Sequence, residues 1–383
     1  MMKRLATILL AALILVGGIA ATAAGGTASD PLISQSYLGS TYIPAVVTQA
    51  GERIDAKTGQ VYDNAATRLK AQAELQLARA GALKGEGGYA ATFTEQRFKR
   101  GDIITLDTGS GILLLAGSAS ALCTGGAMVD VTDGTGLPAD GALKPRHRYL
   151  AGEDTLCRVT ITSDTAVLAP QGYFARTPST YTDYNELAVA LKSMGMFKGG
   201  DTAYGSGFAL ENVPTRIEGL IMFLRLIGEE NQALAVTAPC PFVDAPDWCK
   251  SYVTYAYEKG YTKGVGADTA ELYFMPQKTI SAGEYLTFVL RALGYRDSGE
   301  MPDFSWDTAV DRAQALGVIT AGERQLLTGQ TFLRAQVVYT SYYALSAPRK
   351  TGGTLLTHLI AVGALDGTQT EQTMGGVTVK RVS

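Results

Sequence analysis

The sequence predicts a multidomain protein with a helical N-terminal segment, a small antiparallel β-rich domain of the barrel or sandwich type, and an all-α C-terminal half. Three observations support this prediction. Residues 89–175 contain short β-branched runs between glycine-rich turns, which is typical of antiparallel strands. After residue 183 the apolar residues recur at helical spacing. A unit of two helices joined by a glycine-containing break is then repeated along the chain.

The first 23 residues have the pattern of a secretory signal peptide. Lys3 and Arg4 precede an apolar run at 8–16, and small residues at 21–23 fit a cleavage site. The apolar run is shorter than the roughly 20 residues that a membrane-spanning helix needs. We therefore expect cleavage and export rather than a retained membrane anchor.

Residues 24–88 form the helical lead-in, with amphipathic helices expected at 43–54 and 65–80. The β-rich domain follows at 89–175, and a segment rich in Thr, Pro and Ser at 176–183 is the expected linker. The strands predicted within the β-rich domain lie at 102–106, 112–115, 128–132, 148–150, 158–162 and 166–168. The pattern of this domain indicates a fold but no ligand.

The four cysteines are candidates for disulfides because an exported protein meets an oxidising environment. They are Cys123, Cys157, Cys240 and Cys249. We favour the pairs Cys123–Cys157 and Cys240–Cys249, since each pair lies within one predicted domain. Four free thiols are the alternative.

Composition and motifs argue against several function classes. A net charge of −3 disfavours nucleic acid as the main partner, because phosphate binding needs concentrated Lys and Arg. The sequence Asp107-Thr108-Gly109 occurs once, whereas an aspartic protease needs two such carboxylates. No serine elbow accompanies His147, and no Cys-x-x-Cys motif indicates a metal. We therefore expect a protein that is not an enzyme and has no cofactor or metal.

The helical half consists of three related units, predicted at 184–234, 240–296 and 302–367, with a tail at 368–383. Their breaks align at Gly195, Gly260 and Gly317, and their second helices begin after Thr215, Ser281 and Leu333. The middle unit is the most complete. One such hairpin cannot bury its own apolar face, so we expect the second helices to converge and share a core.

The middle unit carries a family resemblance. Phe-x-Asp-x-x-x-Trp at 242–248, Tyr-Glu-Lys-Gly-Tyr at 257–261 and Leu-Arg-Ala-Leu-Gly at 290–294 resemble the S-layer homology family. The resemblance implies a pseudo-threefold trimer of hairpins with ligand clefts between them. It also implies a secreted protein at the cell wall that binds an acidic, pyruvylated secondary cell-wall polysaccharide.

The starts of the second helices are the expected binding positions. Thr215-x-x-Glu218 and Ser281-x-x-Glu284 fit the capping box, which satisfies the first-turn amides. A helix N-terminus also attracts anions, and an arginine beside it adds a bidentate donor. Carried over from the family, the glycan-binding residues are Thr215, Arg216, Arg334, Asp244, Trp248, Trp306, Lys198 and Lys263.

Four of these positions have a simpler structural explanation. Thr215 is expected to cap its helix, and Asp244, before a proline, is expected to cap the next one. Trp248 and Trp306 are expected to fill the core rather than to contact a ligand. The arginine position of the second unit is Ala282.

The function expected from these residues is non-covalent attachment to the cell wall, or assembly of a surface layer, through the glycan. Other surface-layer proteins are further expected partners. The alternative is a degenerate module that acts as a spacer or protein-contact surface and does not bind glycan.

Overall fold

The computed structural model describes residues 33, 35–79, 89–138, 140–202, 205–265 and 271–383, which form two units at 1–80 and 81–383. The predicted signal peptide lies outside the described residues. In the first unit one long helix, α1 (Ile43–Arg79), follows a short helical turn (Gln35–Tyr37) and a π-helical segment (Leu38–Tyr42). The two helices predicted there are therefore one continuous helix. No helix among the described residues is both long and apolar enough to cross a membrane.

The second unit begins with an antiparallel sheet of short strands that curves as a half-barrel. Its strands are β1 (Tyr89–Ala90), β2 (Gln96–Lys99), β3 (Ile103–Leu106), β4 (Gly111–Ala116), β5 (Ala119–Gly125), β6 (Met128–Asp130), β7 (Thr135–Gly136), β8 (Gly141–Ala142), β9 (Arg148–Ala151), β10 (Thr155–Ile161) and β11 (Thr165–Thr177). The order is β7-β6-β9-β4-β11-β3-β10-β5-β8, and β1 and β2 also pair with β11.

Strand β11 holds the two wings of the sheet together. Its first half pairs with β2 and β4, its second half pairs with β1 and β3, and its register shifts between Val167 and Leu168. Strand β10 alternates buried and exposed residues, as a strand with one solvent face should. The sheet core therefore forms on the inner face, around Ile104, Tyr149 and Val159.

The cysteine prediction is half right. Cys123 and Cys157 are directly opposite each other on β5 and β10 and form a disulfide. Cys240 and Cys249 are free, so the second predicted pair is wrong. Cys249 is fully buried, and its thiol donates to the carbonyl oxygen of Pro246 instead.

The helical half begins at α2, directly after the sheet. Its helices are α2 (Tyr184–Ser193), α3 (Arg216–Leu226), α4 (Glu230–Leu234), α5 (Lys250–Glu258), α6 (Ala282–Ala292), α7 (Ala309–Ala315), α8 (Ala321–Thr328), α9 (Arg334–Ala344), α10 (Leu355–Ala361) and α11 (Gly367–Gly375). Two short strands, β12 (Gly200–Thr202) and β13 (Gly205–Gly207), lie between α2 and α3.

The second helices of the three units, α3, α6 and α9, contact one another pairwise. Apolar residues of these helices are buried where the helices meet, among them Phe223, Leu286 and Val337, none of which retains exposed surface. Removing such side chains from water contributes roughly 1.5–3 kcal/mol each. The convergence of these helices is confirmed, whereas the pseudo-threefold trimer of hairpins stays a prediction.

Backbone hydrogen bonds link the helix starts to loops of other units. The amides of Arg216 and Ile217 donate to carbonyl oxygens of the 276–278 loop. The amides of Arg334 and Ala335 donate in the same way to the 210–212 loop. In the part of the chain that the structure describes, no matching pair reaches the start of α6. Two helix starts thus have their orphan amides satisfied by a neighbouring unit.

By the same pattern, the loop before α9 would bind the start of α6. It contacts the sheet instead. Asp164, which is 8% exposed, accepts hydrogen bonds from Gln330 and Gln336 of the third unit. The guanidinium of Arg100 binds the other oxygen of the same carboxylate. Asp164 therefore joins the sheet to α9.

Candidate functional site

The helix starts that carry the predicted site are capped as expected. The Thr215 hydroxyl accepts a hydrogen bond from the Glu218 amide, and the Glu218 carboxylate accepts one from the Thr215 amide. Ser281 and Glu284 form the same reciprocal pair at α6. Both carboxylates lie in the first turn, where the positive end of the helix dipole favours them.

Arg216 follows the first cap and is only 7% exposed. Its Nη1 lies 2.8 Å from Oε1 of Glu284, the capping acid of the next unit. Its guanidinium also lies over the rings of Phe274 and Phe288. The Nε atom is buried without a hydrogen-bond partner. Arg216 is thus held across two units with one donor left unused.

Arg334 occupies the matching place at α9 and is 8% exposed. Its Nη1 lies 3.7 Å from Oε1 of Glu218, again the capping acid of another unit. Its Nε donates to the carbonyl oxygen of Phe208, and its guanidinium lies against the ring of Phe197. The expectation that Arg216 and Arg334 present free guanidinium groups is wrong, because the capping acids already neutralise them.

A second kind of charged cluster occurs in both the first and the middle unit. In the middle unit Asp297 accepts hydrogen bonds from both Lys263 and Arg291. In the first unit Glu230 accepts from both Lys198 and Arg225. Each cluster places one acid between a lysine after the break and an arginine near the end of the second helix.

These carboxylates are held in their charged form. Burial alone would raise the pKa of Asp297, but the hydrogen bonds from Arg291 and Lys263 outweigh it and lower the pKa below its ordinary value. The pKa of Glu230 is lowered in the same way, with Arg225 and Lys198 outweighing burial. The pKa of Glu284 is also lowered, as the Ser281 amide and the charge of Arg216 outweigh burial.

Arg216, Glu284 and the Asp297 cluster line an open cleft of about 440 Å³ between the first and middle units, here called the first cleft. Its charged side chains are Arg216, Lys263, Lys278, Arg291, Glu284 and Asp297. Four are cationic and two are acidic, so the cleft has an excess of positive charge. The exposed cations are lysines, since the Lys263 side chain is 47% exposed and the Lys278 side chain is 53% exposed.

Trp306 completes the first cleft from the third unit. It is 72% exposed, and Trp248 is 57% exposed. The expectation that both tryptophans fill the core is therefore wrong. Trp306 offers an aromatic face beside the lysines, whereas Trp248 does not line this cleft.

A second cleft, of about 400 Å³, lies in the first unit. Lys192, Phe197 and Lys198 line it together with Gly199, Gly200 and Gly207. The Lys198 side chain is 59% exposed, and Arg334 lies behind Phe197. This cleft repeats the exposed lysine of the first cleft, but neither an arginine nor a tryptophan belongs to its lining.

Asp244 is not a cap. Its two carboxylate oxygens accept hydrogen bonds from the amides of Phe274 and Met275, 2.8 and 2.7 Å away. The short helix at Asp247–Cys249 begins after Pro246 without a side-chain cap. Asp244 therefore fixes the loop that leads to the first cleft, and Phe274 of that loop supports Arg216.

Several residues of the first cleft were not predicted from the sequence. Lys278, Glu284, Arg291 and Asp297 were not chosen as ligand contacts. One signal was available: Arg225 and Arg291 lie nine positions after their aligned helix starts, Arg216 and Ala282. An acid follows each of them within a few residues, which is the pattern of the recurring cluster.

In the β-rich half, His147 is one of a group of three potential ligands. Its Nδ1 lies 2.8 Å from Asp130 and 3.7 Å from Asp133. Lys144 binds Asp133 as well, so a cation of the chain already compensates this acid. Thr132 and Asp133 donate their amides to Asp130. The group is explained as a turn held by hydrogen bonds.

Comparison with known proteins gives one partial match. No protein-family model matches the chain. The chain is similar to a protein named "Cell surface protein" from Thermoanaerobacter kivui, with 28% identity over 155 residues. The match covers 39% of this chain and only 19% of the length of that relative. The resemblance to the S-layer homology family therefore stays a prediction.

Proposed function

We propose that the protein is attached to the cell surface by binding an acidic polysaccharide in the first cleft. The observation that carries this proposal is the pair of half-exposed lysines, Lys263 and Lys278, beside the exposed ring of Trp306. The partial similarity to a protein named for the cell surface fits such a role. The pyruvylated wall polysaccharide and the S-layer are the finer form of the same proposal.

The lysines are the groups that a ligand can reach. An ammonium donates up to three hydrogen bonds, and a charge-assisted bond contributes roughly 1.5–3 kcal/mol. Asp297 holds Lys263 in place, and Glu284 holds Lys278, so little side-chain freedom remains to be lost on binding. A carboxylate that approaches both lysines also meets the positive charge of Arg216, which Glu284 pairs in the unbound protein.

Trp306 supplies the contact to the sugar ring. An exposed indole face is costly to leave in water, and stacking on a sugar ring covers it while leaving the sugar hydroxyls solvated. The second cleft offers Lys198 without a tryptophan, so we expect weaker binding there.

The test is binding of purified acidic wall polysaccharide to the full chain. We expect Lys263→Ala with Lys278→Ala to weaken binding roughly tenfold or more, since each tenfold step corresponds to about 1.4 kcal/mol. Lys144→Ala with Lys250→Ala is the matched control. It removes the same charge from two other exposed, acid-paired lysines.

Trp306 gives a second, independent readout. In a Trp248→Phe background it is the only tryptophan, and its fluorescence should change as polysaccharide is added. Binding should also weaken as salt is raised, because exposed charges are screened. Equal loss in both double variants, or polysaccharide binding that leaves the Trp306 signal unchanged, would contradict the assignment of the first cleft.

The second candidate function is a spacer or protein-contact module. The internal pairing of Arg216 and Arg334 with capping acids favours it, because it leaves no free guanidinium at the predicted positions. Wall material stripped of its acidic groups separates the two functions. Retention on the stripped material at the same level as on intact material would support the second candidate and contradict the first.

A further inference from the structure

The cations of the first and second clefts have no counterparts at the third set of aligned positions. By alignment of the breaks and helix starts, Thr320 of the third unit replaces the lysine, Tyr343 of the third unit replaces the helix arginine, and Ala282 of the middle unit replaces the arginine after the cap. The chain itself fills the space around Thr320 and Tyr343. Residues 377–382, here called the 377–382 segment, run through it, and Val377, Val379 and Val382 pack on the helical core.

The 377–382 segment is bound by groups from several elements. Thr378 donates both its amide and its hydroxyl to Glu186 of α2. The Tyr343 hydroxyl donates to the carbonyl oxygen of Val379, 3.0 Å away. The Val382 amide donates to the Tyr339 hydroxyl, and Thr320 donates to the Val382 carbonyl oxygen. The site that holds the segment is here called the third cleft, and it is formed by Glu186, Val318, Thr320, Glu323, Tyr339 and Tyr343.

Arg381 occupies in the third unit the place that Arg291 occupies in the middle unit. Arg291 donates to the carbonyl oxygen of Tyr261, the residue after Gly260, at 2.7 Å. Arg381 donates to the carbonyl oxygen of Val318, the residue after Gly317, at the same distance. It also binds both carboxylate oxygens of Glu323 and lies over the ring of Tyr343. The 377–382 segment therefore supplies the cation that the third unit lacks.

We propose that the third cleft is a peptide-binding site for this segment, and that it can take the 377–382 segment of a second copy of the chain as well as its own. The ligand is defined by its chemistry: a valine on each side of a threonine, an arginine for Glu323, and a further valine after the arginine. Glu323 is 1% exposed, so its charge is available only to a group seated in the cleft.

The connection to the rest of the chain suits exchange between copies. The segment follows α11 through Gly375 and Gly376, and a side-chain carbon added at Gly375 would meet no atom within 4 Å. Glycines permit the changes of backbone direction that release needs. Exchange of an identical element keeps every contact and so costs little in free energy. Within one chain the high effective concentration favours self-occupancy, so exchange is expected where copies are dense.

Two full-length variants separate the two roles in an exchange: one can only accept a segment from another copy, and the other can only donate its own. Arg381→Glu places a negative charge against Glu323, which releases the segment and leaves the cleft open. Gly322→Leu blocks the cleft, because a side-chain carbon at Gly322 would overlap the Ser383 carbonyl oxygen and lie 2.8 Å from the side chain of Val382. Its own segment is intact, and leucine favours the helix α8 in which it lies.

The experiment is to mix the two variants and measure mass by light scattering after size-exclusion chromatography. We expect each variant alone to keep the mass of the wild type and the mixture to form a one-to-one complex. A synthetic peptide of residues 376–383 should bind the Arg381→Glu variant and prevent the complex. The same peptide with glutamate for arginine should bind at least roughly tenfold more weakly.

The control mixture uses a donor that carries both Gly322→Leu and Arg381→Glu, and it should form no complex. A failure of both the peptide and the intact donor to bind the open variant would overturn the site. Peptide binding without a complex between variants would overturn exchange between copies. None of these outcomes depends on polysaccharide binding, so the proposal is tested separately from attachment.

Discussion

At the scale of single residues, the clefts depend on acids that each hold two cations. Asp297 is 9% exposed at its side chain and binds Lys263 and Arg291 together. If the acid were removed, two positive charges would face each other in a partly buried place, which is more costly than losing an exposed ion pair. The same holds for Glu230 with Lys198 and Arg225.

Asp297→Asn should lower the free energy of unfolding by roughly 1–3 kcal/mol at pH 7. The pKa of Asp297 is lowered in the folded protein, so its stabilisation is complete above the unfolded-state pKa of about 3.9. It is lost as the pH falls through the still lower folded-state pKa. Urea unfolding at several pH values should therefore show wild type and variant converging under acid. A difference in unfolding free energy between wild type and variant that stays constant below pH 4 would contradict this account.

Glu284→Gln tests the role of the capping acid in the first cleft. Glutamine can keep the cap, as Gln336 does at α9, where its Oε1 accepts the Leu333 amide. The change removes the charge that neutralises Arg216, so we expect acidic polysaccharide to bind several-fold more tightly. Titration calorimetry at low salt measures the change. Glu258→Gln, at an exposed position outside the cleft, is the control, and equal affinity in both variants would show that Arg216 takes no part.

At the scale of the element, the caps decide where α3 and α6 begin, and so where the cleft residues stand. Thr215→Ala should cost about 1 kcal/mol of stability, because the Glu218 amide loses its acceptor. Thr215→Ser keeps the hydroxyl and should be nearly neutral. Thermal unfolding of the two variants measures the difference. Equal losses would mean that the threonine methyl group, rather than the cap, stabilises the helix start.

The sequence was sufficient for the elements whose signal is local. The capping boxes at Thr215 and Ser281, the apolar stripes of the second helices and the main strands depend on neighbouring residues, and the structure has them. Strand β5 (Ala119–Gly125) was missed because alanine, serine and cysteine give little β-branched signal. Its pairing with β10 along the whole strand supplies what its composition does not.

The parts of the site that depend on distant residues could not be predicted. Arg216 was expected to face a ligand, and only the fold shows that Glu284, from the next unit, reaches it first. Asp244 has the sequence position of a cap, but its loop turns it toward Phe274 and Met275. The tryptophans were assigned to the core on average preference, and their exposure depends on how neighbouring units are placed.

At the scale of the whole molecule, the sheet and the helices of the 81–383 unit share a joint at Asp164. One carboxylate receives Arg100 from the sheet side and Gln330 and Gln336 from the third unit. A buried carboxylate with this many donors is worth more than its separate bonds, because each donor fixes the others. This joint also explains why the third unit differs from the first and middle units. Its loop before α9 binds the sheet instead of the start of α6.

Asp164→Ala should therefore uncouple the two halves of this unit. Both tryptophans lie in the helical half, so their fluorescence reports on that half alone, whereas circular dichroism in the far ultraviolet reports on both. In the wild type we expect the two signals to change together on heating, and in the variant we expect them to separate. Reduction of Cys123–Cys157, which lies within the sheet, should then lower only the sheet transition of the variant. Glu153→Ala, an exposed change on the sheet, is the control. If the two signals stay coincident in Asp164→Ala before and after reduction, other contacts join the halves.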